Sequence, residues 1–264
     1  MSVWINGEIT GSKGIDPSDR GFTLGDGVFE TMGYRDGAIR HWNQHWVRLQ
    51  QAADVLRIPL TATEEELVEA VNMVAKTNGL TDGVIRLTLT RGPGARGVLP
   101  PAVPNPTVVI GMAPLSSPLG PARVTISPIT RRNEFSPLSG IKSLNYLDNV
   151  LARQEASARG YDDVILLNTQ GNVAEASVST VFVDIDGILC TPHIADGALP
   201  GVARGLILQH LRAQERTLTP LDLQHASEMV LTNVLSVRSV IEIDGASIPA
   251  GDRVKEIQHL IDGS

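Results

Sequence analysis

The stretch Ile141-Lys142-Ser143-Leu144-Asn145-Tyr146 sets a lysine among apolar and small residues at the mouth of a helical pattern. Four of the chain's 22 basic residues are lysines, and the other three, Lys13, Lys76 and Lys255, lie in polar, surface-like stretches. Apolar neighbours disfavour an ammonium relative to the neutral amine, which leaves such a lysine available as a base or as a nucleophile toward a carbonyl. The other reading is a side chain that lays its stem on the surface and sends its charge to water. The groups placed downstream separate the two.

Working outward from Lys142, the spacing of Leu144, Leu147, Leu151 and Ala158 predicts a helix with those residues on one apolar face, ending near Gly160. Residues 164–167 read as a buried strand, residues 168–172 as a turn, and residues 181–185 and 188–191 as a hairpin around Asp186-Gly187. Pro200-Gly201 opens a helix predicted to run to about Gln214, and residues 229–232 make a late strand. Upstream, residues 123–126 read as a strand, and the turn-rich residues 116–121 as a linker between domains. The first half reads as a strand at 3–5 closed by Asn6-Gly7, a helix over 41–57, and a second helix from Thr63 to Asn78-Gly79 with Glu66 as capping partner. Strands at 84–90 and 108–112 follow, separated by the loop Arg91-Gly92-Pro93-Gly94-Ala95-Arg96-Gly97. Strands and helices mix without strict alternation, so the fold class is α+β rather than a doubly wound sheet.

Bulk properties narrow the function. At 264 residues the chain can build one large core or two modest ones. A formal net charge of -7 without a basic cluster argues against nucleic acid and against an anionic membrane surface as partner. Cys190 is the only cysteine, so no internal disulfide forms, as fits a reducing cytoplasm. The start, Met1 to Glu8, lacks the basic and apolar regions of a signal peptide, and no apolar run reaches membrane-spanning length. The expectation at this point is a cytoplasmic, acidic protein of α/β type.

Four further segments carry chemistry. Glu175 follows the 168–172 turn ahead of a strand, where a solvated charge is the default. Gly201, Val202 and Ala203 begin a helix, whose unpaired N–H groups and dipole suit a phosphate. Arg48 lies on what reads as the polar side of the first long helix. The glycine-rich run from Gly21 to Thr31 is similar to a phosphate loop but has neither established spacing. Each alone is weak; their order is not.

Taken in order, these segments resemble the class IV aminotransferase family, the fold type IV pyridoxal-phosphate enzymes. The resemblance spans nearly the whole chain: Asp19-Arg20-Gly21, Gly25-Asp26-Gly27-Val28-Phe29-Glu30, His45-Trp46-Val47-Arg48-Leu49, Lys142-Ser143-Leu144-Asn145, Glu175-Ala176-Ser177-Val178-Ser179 and Leu199-Pro200-Gly201-Val202-Ala203-Arg204. It implies two α/β domains, a smaller one over 1–115 and a larger cofactor-binding one over 122–264, with the cofactor site between them. Pyridoxal 5'-phosphate is the implied cofactor and a homodimer the implied assembly. Lys142 would bond to the cofactor and then move the substrate proton; Glu175 would keep the pyridine nitrogen protonated. Arg48 and the N–H groups of Val202 and Ala203, beside Gly201, would hold the phosphate. Tyr146 would stand near the ring hydroxyl, Arg96 would reach a substrate carboxylate, and Phe29 and Val98 would line the substrate pocket.

Within that family the chain looks most like 4-amino-4-deoxychorismate lyase, which makes 4-aminobenzoate and pyruvate for folate synthesis. The Arg91 to Gly97 loop and Leu231-Thr232-Asn233 carry this likeness. D-amino-acid transaminases place a histidine and a tyrosine where this chain has Val98 and Phe29, and branched-chain enzymes carry another motif over 84–90. Two positions depart from the lyase pattern: Val234 stands where a hydroxyl residue is common, and Thr180 where an asparagine is. The alternative is an amino-acid transaminase of D-amino-acid or branched-chain type. A catalytically silent cofactor-binding protein is a third class, opposed by the retention of both Lys142 and Glu175.

Overall fold

The computed structural model describes residues 1–11 and 14–263, so the expectation for Lys13 lies outside the described residues. The chain forms two compact units, Met1–Ser116 with Ile141–Asn145, and Ser117–Gly140 with Tyr146–Ser264. The segment carrying Lys142 therefore groups with the first unit, although the sequence on both sides of it belongs to the second.

The first unit is a six-stranded antiparallel sheet in the order β2-β1-β6-β5-β3-β4. Its strands are β1 (Val3–Ile5), β2 (Glu8–Thr10), β3 (Gly27–Arg35), β4 (Ala38–Ile39), β5 (Gly83–Thr90) and β6 (Thr107–Ala113). Asn6 and Gly7, both at positive φ, make the tight turn between β1 and β2. A short helix α1 (Arg20–Leu24) precedes β3, and helices α2 (Trp42–Leu56) and α3 (Glu64–Asn78) pack on the sheet. Thr63 caps α3 through a capping box with Glu66, and Gly79 ends it in the left-handed conformation. Alternate residues Val28, Met32 and Tyr34 of β3 join Leu49, Ala52 and Ala53 of α2 and Leu67, Val71 and Val74 of α3 in one apolar core.

One expectation needs correction in this unit. The Gly21 to Thr31 run, which lacks phosphate-loop spacing, forms α1, its left-handed cap at Gly25 and the start of β3. Gly27 is required by close packing, because a Cβ there would stand 2.5 Å from the Leu89 carbonyl oxygen. Arg48 is not on a solvated face but buried beside Leu49 and Ala52, because a carboxylate waits for it on β3.

The second unit is a nine-stranded mixed sheet in the order β12-β11-β10-β13-β14-β7-β8-β9, with β15 on β14. The strands are β7 (Ala122–Arg132), β8 (Asp163–Asn168), β9 (Val173–Ala176), β10 (Thr180–Ile185), β11 (Ile188–Thr191), β12 (Gln214–Glu215), β13 (Glu228–Asn233), β14 (Ser236–Ile243) and β15 (Ala246–Ser247). β7 runs parallel to both β8 and β14, and β11 parallel to β12; the other pairs are antiparallel. Helices α4 (Leu147–Ala158), α5 (Val202–His210), α6 (Pro220–Gln224) and α7 (Arg253–Gly263) complete it.

Here too the sequence reading is adjusted. The buried face of α4 carries Asn149, Ala152 and Ala156, while Leu147 and Leu151 are 75% and 52% exposed. Small side chains let the helix approach Val164 and Leu166 of β8 closely, and that packing overrides the leucine periodicity. Leu144 precedes the helix altogether. α5 stops at His210 rather than Gln214, because Gln214 and Glu215 pair with Cys190 and Thr191 as an edge strand. Among the described residues no helix is long and apolar enough to cross a membrane.

Candidate active site

Lys142 lies in a turn ahead of α4, and its backbone is bonded to the start of β3. The Phe29 amide donates to the Lys142 carbonyl at 2.9 Å, and the Leu144 amide to the Gly27 carbonyl at 2.9 Å. Val28 and Ser143 form the bridge between these bonds, and the Asn145 side chain donates to the Gly25 carbonyl at 3.1 Å. Ile141 is sunk in the core of the unit, so the lysine backbone is held on both sides. The Lys142 Nζ stands 4.4 Å from the centroid of the Phe29 ring. The Arg86 guanidinium, on β5, lies 3.3 Å from the same centroid. An aromatic face attracts both cations, so Phe29 gathers two positive groups at one point on the sheet. The structure thus brings Lys142 and Phe29 together, and adds Arg86, which the sequence reading passed over.

Beneath this face lies a buried polar cluster. Glu30, 2% exposed at its side chain, receives the Arg48 Nε at 2.9 Å on Oε1 and the Arg48 Nη2 at 2.6 Å on Oε2. His45 Nδ1 donates to the same Oε2 at 2.6 Å. Burial alone works to raise the Glu30 carboxyl, but the bonds from His45 and Arg48 overcome it and hold the group below the usual range. Burial lowers the His45 imidazole, and the Arg48 and Lys142 charges add to this against the pull of Glu30. His45 is therefore neutral, with its proton on Nδ1 toward the carboxylate.

Arg96 and Val98 occupy the 91–105 loop and are solvent-exposed, Val98 by 86%. That loop is clamped from beneath. Arg20 Nη1 and Nη2 each donate at 2.9 Å, to the carbonyls of Gly97 and Val98, while its Nε reaches Asp26 at 2.8 Å. Arg91 binds Asp26 through two nitrogens, at 2.8 and 3.0 Å. Asp19, fully buried, accepts from the Gly21 amide and from the hydroxyls of Thr90 and Thr107. The Asp19-Arg20 and Gly25-Asp26-Gly27 motifs are thus the foundation of the loop.

In the second unit Glu175 lies past the turn, as expected, but inside β9 rather than ahead of a strand. Its Oε1 is 3.1 Å from the Arg132 Nε, and its Oε2 accepts the Leu199 amide at 3.0 Å. Arg132 also donates to the carbonyls of Gly197 and Ser139. The carboxylate is therefore tied to the turn that opens α5, so Glu175 and the Gly201, Val202, Ala203 group are brought together. Gly201 caps α5 with no side chain on its N–H groups. The Thr180 hydroxyl lies 3.2 Å from where a Gly201 Cβ would be, placing a polar group at the helix start. Tyr146 is the half-buried residue that precedes α4.

The groups missed from the sequence were Glu30, Arg86 and Arg132. Glu30 had a signal: it interrupts the apolar alternation Val28, Met32, Tyr34, while His45 and Arg48 share a helix face with Leu49 and Ala52. Arg86 and Arg132 had none beyond lying in strands.

The first unit thus holds a lysine against a strand, and the second holds an arginine-paired carboxylate beside the start of a helix. The profile of the family described as amino-transferase class IV matches residues 27–243, and the chain belongs to that family. A putative branched-chain-amino-acid aminotransferase of Methanocaldococcus jannaschii is 34% identical over 260 residues, covering 94% of this chain and 90% of that protein. The crystal structure of the Escherichia coli branched-chain amino acid aminotransferase matches with a TM-score of 0.92 at 27% identity, covering 99% of this chain and 93% of the other. The 4-amino-4-deoxychorismate lyase of Pseudomonas aeruginosa matches with a TM-score of 0.86 at 29% identity, covering 99% and 98%. Enzymes of this family work with pyridoxal 5'-phosphate.

Proposed function

We propose that the protein is a 4-amino-4-deoxychorismate lyase, releasing 4-aminobenzoate and pyruvate. The supporting observation is end-to-end correspondence with the P. aeruginosa lyase, 99% of this chain against 98% of that one, together with the Arg91 to Gly97 loop. The residues fit the cofactor. Lys142 offers an amine, Glu175 a carboxylate held by Arg132 and the Leu199 amide, and Gly201 leaves the N–H groups of Val202 and Ala203 uncovered by any side-chain cap. Arg48 supplies a guanidinium for the phosphate, and Tyr146 a phenol for the ring hydroxyl. When bound, the cofactor supplies an electron sink for a carbanion.

Lys142 then removes the proton from the amino-bearing carbon. The bond from the carbocycle to the side-chain oxygen breaks, the enol leaving group takes up a proton and departs as pyruvate, and the ring becomes aromatic. Glu175, paired with Arg132, would be the residue that holds a proton at the pyridine nitrogen. Phe29 places the Lys142 amine, and Arg86 and Arg96 are cations for the carboxylates of the substrate. A second reading, transamination of branched-chain type, is favoured by the 34% identical M. jannaschii relative. In it the bound cofactor would take up the amino group, and Lys142 would be the residue that carries the proton.

A paired assay decides between them: pyruvate and 4-aminobenzoate release from aminodeoxychorismate, against transamination of L- and D-amino acids with 2-oxoglutarate. Transamination without lyase activity overturns the first reading. Borohydride should fix the cofactor to Lys142 in the full-length protein; turnover by Lys142→Ala at the wild-type rate would remove the lysine from its role.

A further inference from the structure

Glu30 is a carboxylate in a face that is otherwise apolar. Its neighbours along β3, Val28, Met32 and Tyr34, belong to the core, and Glu30 itself is buried. Taking a carboxylate out of water is costly, and an apolar pair of the same volume would hold β3 to α2 at least as well. Stability alone does not account for it.

The geometry offers another purpose. Two of the three donors on Glu30 come from one guanidinium, at 2.9 and 2.6 Å, so both the position and the plane of Arg48 are fixed. The third donor, His45, braces Oε2 from the helix at 2.6 Å. His45 and Glu30 are 0% and 2% exposed at their side chains, whereas Arg48 is 10% exposed and is the member that reaches the surface. His45 Nε2 is buried without a hydrogen-bond partner, so the imidazole is kept for its one bond to Glu30. A free arginine loses rotamer freedom when it binds an anion, and one already oriented does not.

We propose that Glu30, braced by His45, is the positioning residue that holds the Arg48 guanidinium ready for an organic phosphate, here that of the cofactor. The inference rests on the Arg48 assignment above. It makes a claim opposite in sign to simple electrostatics. Glu30→Gln removes a negative charge next to Arg48, so Coulomb attraction alone predicts tighter phosphate binding. Loss of orientation predicts weaker binding.

The test uses full-length protein stripped of cofactor and titrated, by visible absorbance, with pyridoxal 5'-phosphate and with pyridoxal, which lacks the phosphate. Wild type should prefer the phosphorylated form. Glu30→Gln should lose at least tenfold of that preference while its affinity for pyridoxal stays within about twofold. His45→Gln, which keeps a donor toward Glu30, should fold and lose less, about threefold, and carries the test if Glu30→Gln does not fold. Preference unchanged or increased in both variants overturns the inference, as does an equal fall for both ligands, which would make the cluster purely structural. A wild type that prefers neither ligand overturns the Arg48 assignment itself, and is thereby told apart from failure of the Glu30 role alone.

Discussion

Replacing Arg20 by methionine should loosen the 91–105 loop without unfolding the sheet beneath it. Methionine fills the volume of the arginine stem but deletes three charge-assisted bonds: to Asp26 at 2.8 Å and to the carbonyls of Gly97 and Val98 at 2.9 Å each. Such bonds contribute about 1.5–3 kcal/mol apiece, an upper sum near 9 kcal/mol. Two terms reduce it. The cost of burying the guanidinium disappears, and Asp26 keeps its two-nitrogen grip from Arg91, so it is not left as a bare buried charge. Breaking a buried pair costs about 3–5 kcal/mol, and the compensation from Arg91 brings the remaining loss to about 2–4 kcal/mol. At about 1.4 kcal/mol per decade this corresponds to roughly one and a half to three orders of magnitude in local opening. The amide to follow is Gly94, which donates to the Ser18 carbonyl at 3.1 Å and closes the loop onto the segment before α1. Hydrogen exchange at Gly94 should accelerate by that factor, while the paired amides of β1 and β2 change little. If Arg96 reads a substrate carboxylate, KM should rise with cofactor affinity unaltered. Exchange at Gly94 within about threefold of wild type would refute the clamp.

Three other outcomes follow from the same geometry. Glu175→Gln should fold and retain cofactor but lose about two orders of magnitude in kcat, because a neutral amide no longer holds a pyridinium proton; absorbance spectra and steady-state rates check both parts, and near-normal rates remove Glu175 from the role. Since the folded-state pKa of His45 is depressed by burial, the unfolded chain takes up its proton first, near pH 6.5, and stability falls as pH drops below that value. The slope is at most about 1.4 kcal/mol per pH unit, so wild-type Tm should drop more than that of His45→Gln between pH 7.5 and 5.5, and parallel curves would contradict it. Gly27→Ala puts a Cβ 2.5 Å from the Leu89 carbonyl and 2.9 Å from a Leu144 methyl, forcing either β5 or the lysine segment aside at a cost of about 1–3 kcal/mol. Borohydride labelling at Lys142, located by peptide mass spectrometry, should fall with it; full labelling at unchanged stability would show that the strand yields elsewhere.

Where local chemistry decides, the fold was legible. Asn6-Gly7, the Thr63 capping box and the Asp186-Gly187 hairpin are set by backbone conformation and nearest neighbours, and the structure has them where the residues put them. Tertiary packing hid the rest. β3 escaped notice because its glycine is there for close approach and its glutamate for a partner 18 residues on, and neither fits an alternating pattern. α4 was misassigned in its buried face because alanines, not leucines, meet β8. Lys142 and Glu175 were visible as residues, but what holds them was not: an antiparallel bridge to Val28 and an ion pair with Arg132 join positions remote in sequence.

The assignment of residues 141–145 to the first unit has a consequence for how the chain is made. A ribosome delivers β3 more than a hundred residues before the segment that bonds to Gly27 and Phe29. Until then the N-terminal half of β3 shows an open strand edge, the kind of surface that recruits stray strands. A fragment ending at Ser116 would keep that edge for good, along with the gap left in its core by Ile141. The segment carrying Lys142 thus closes the edge of the sheet, and the lysine takes its place only when the first unit is complete.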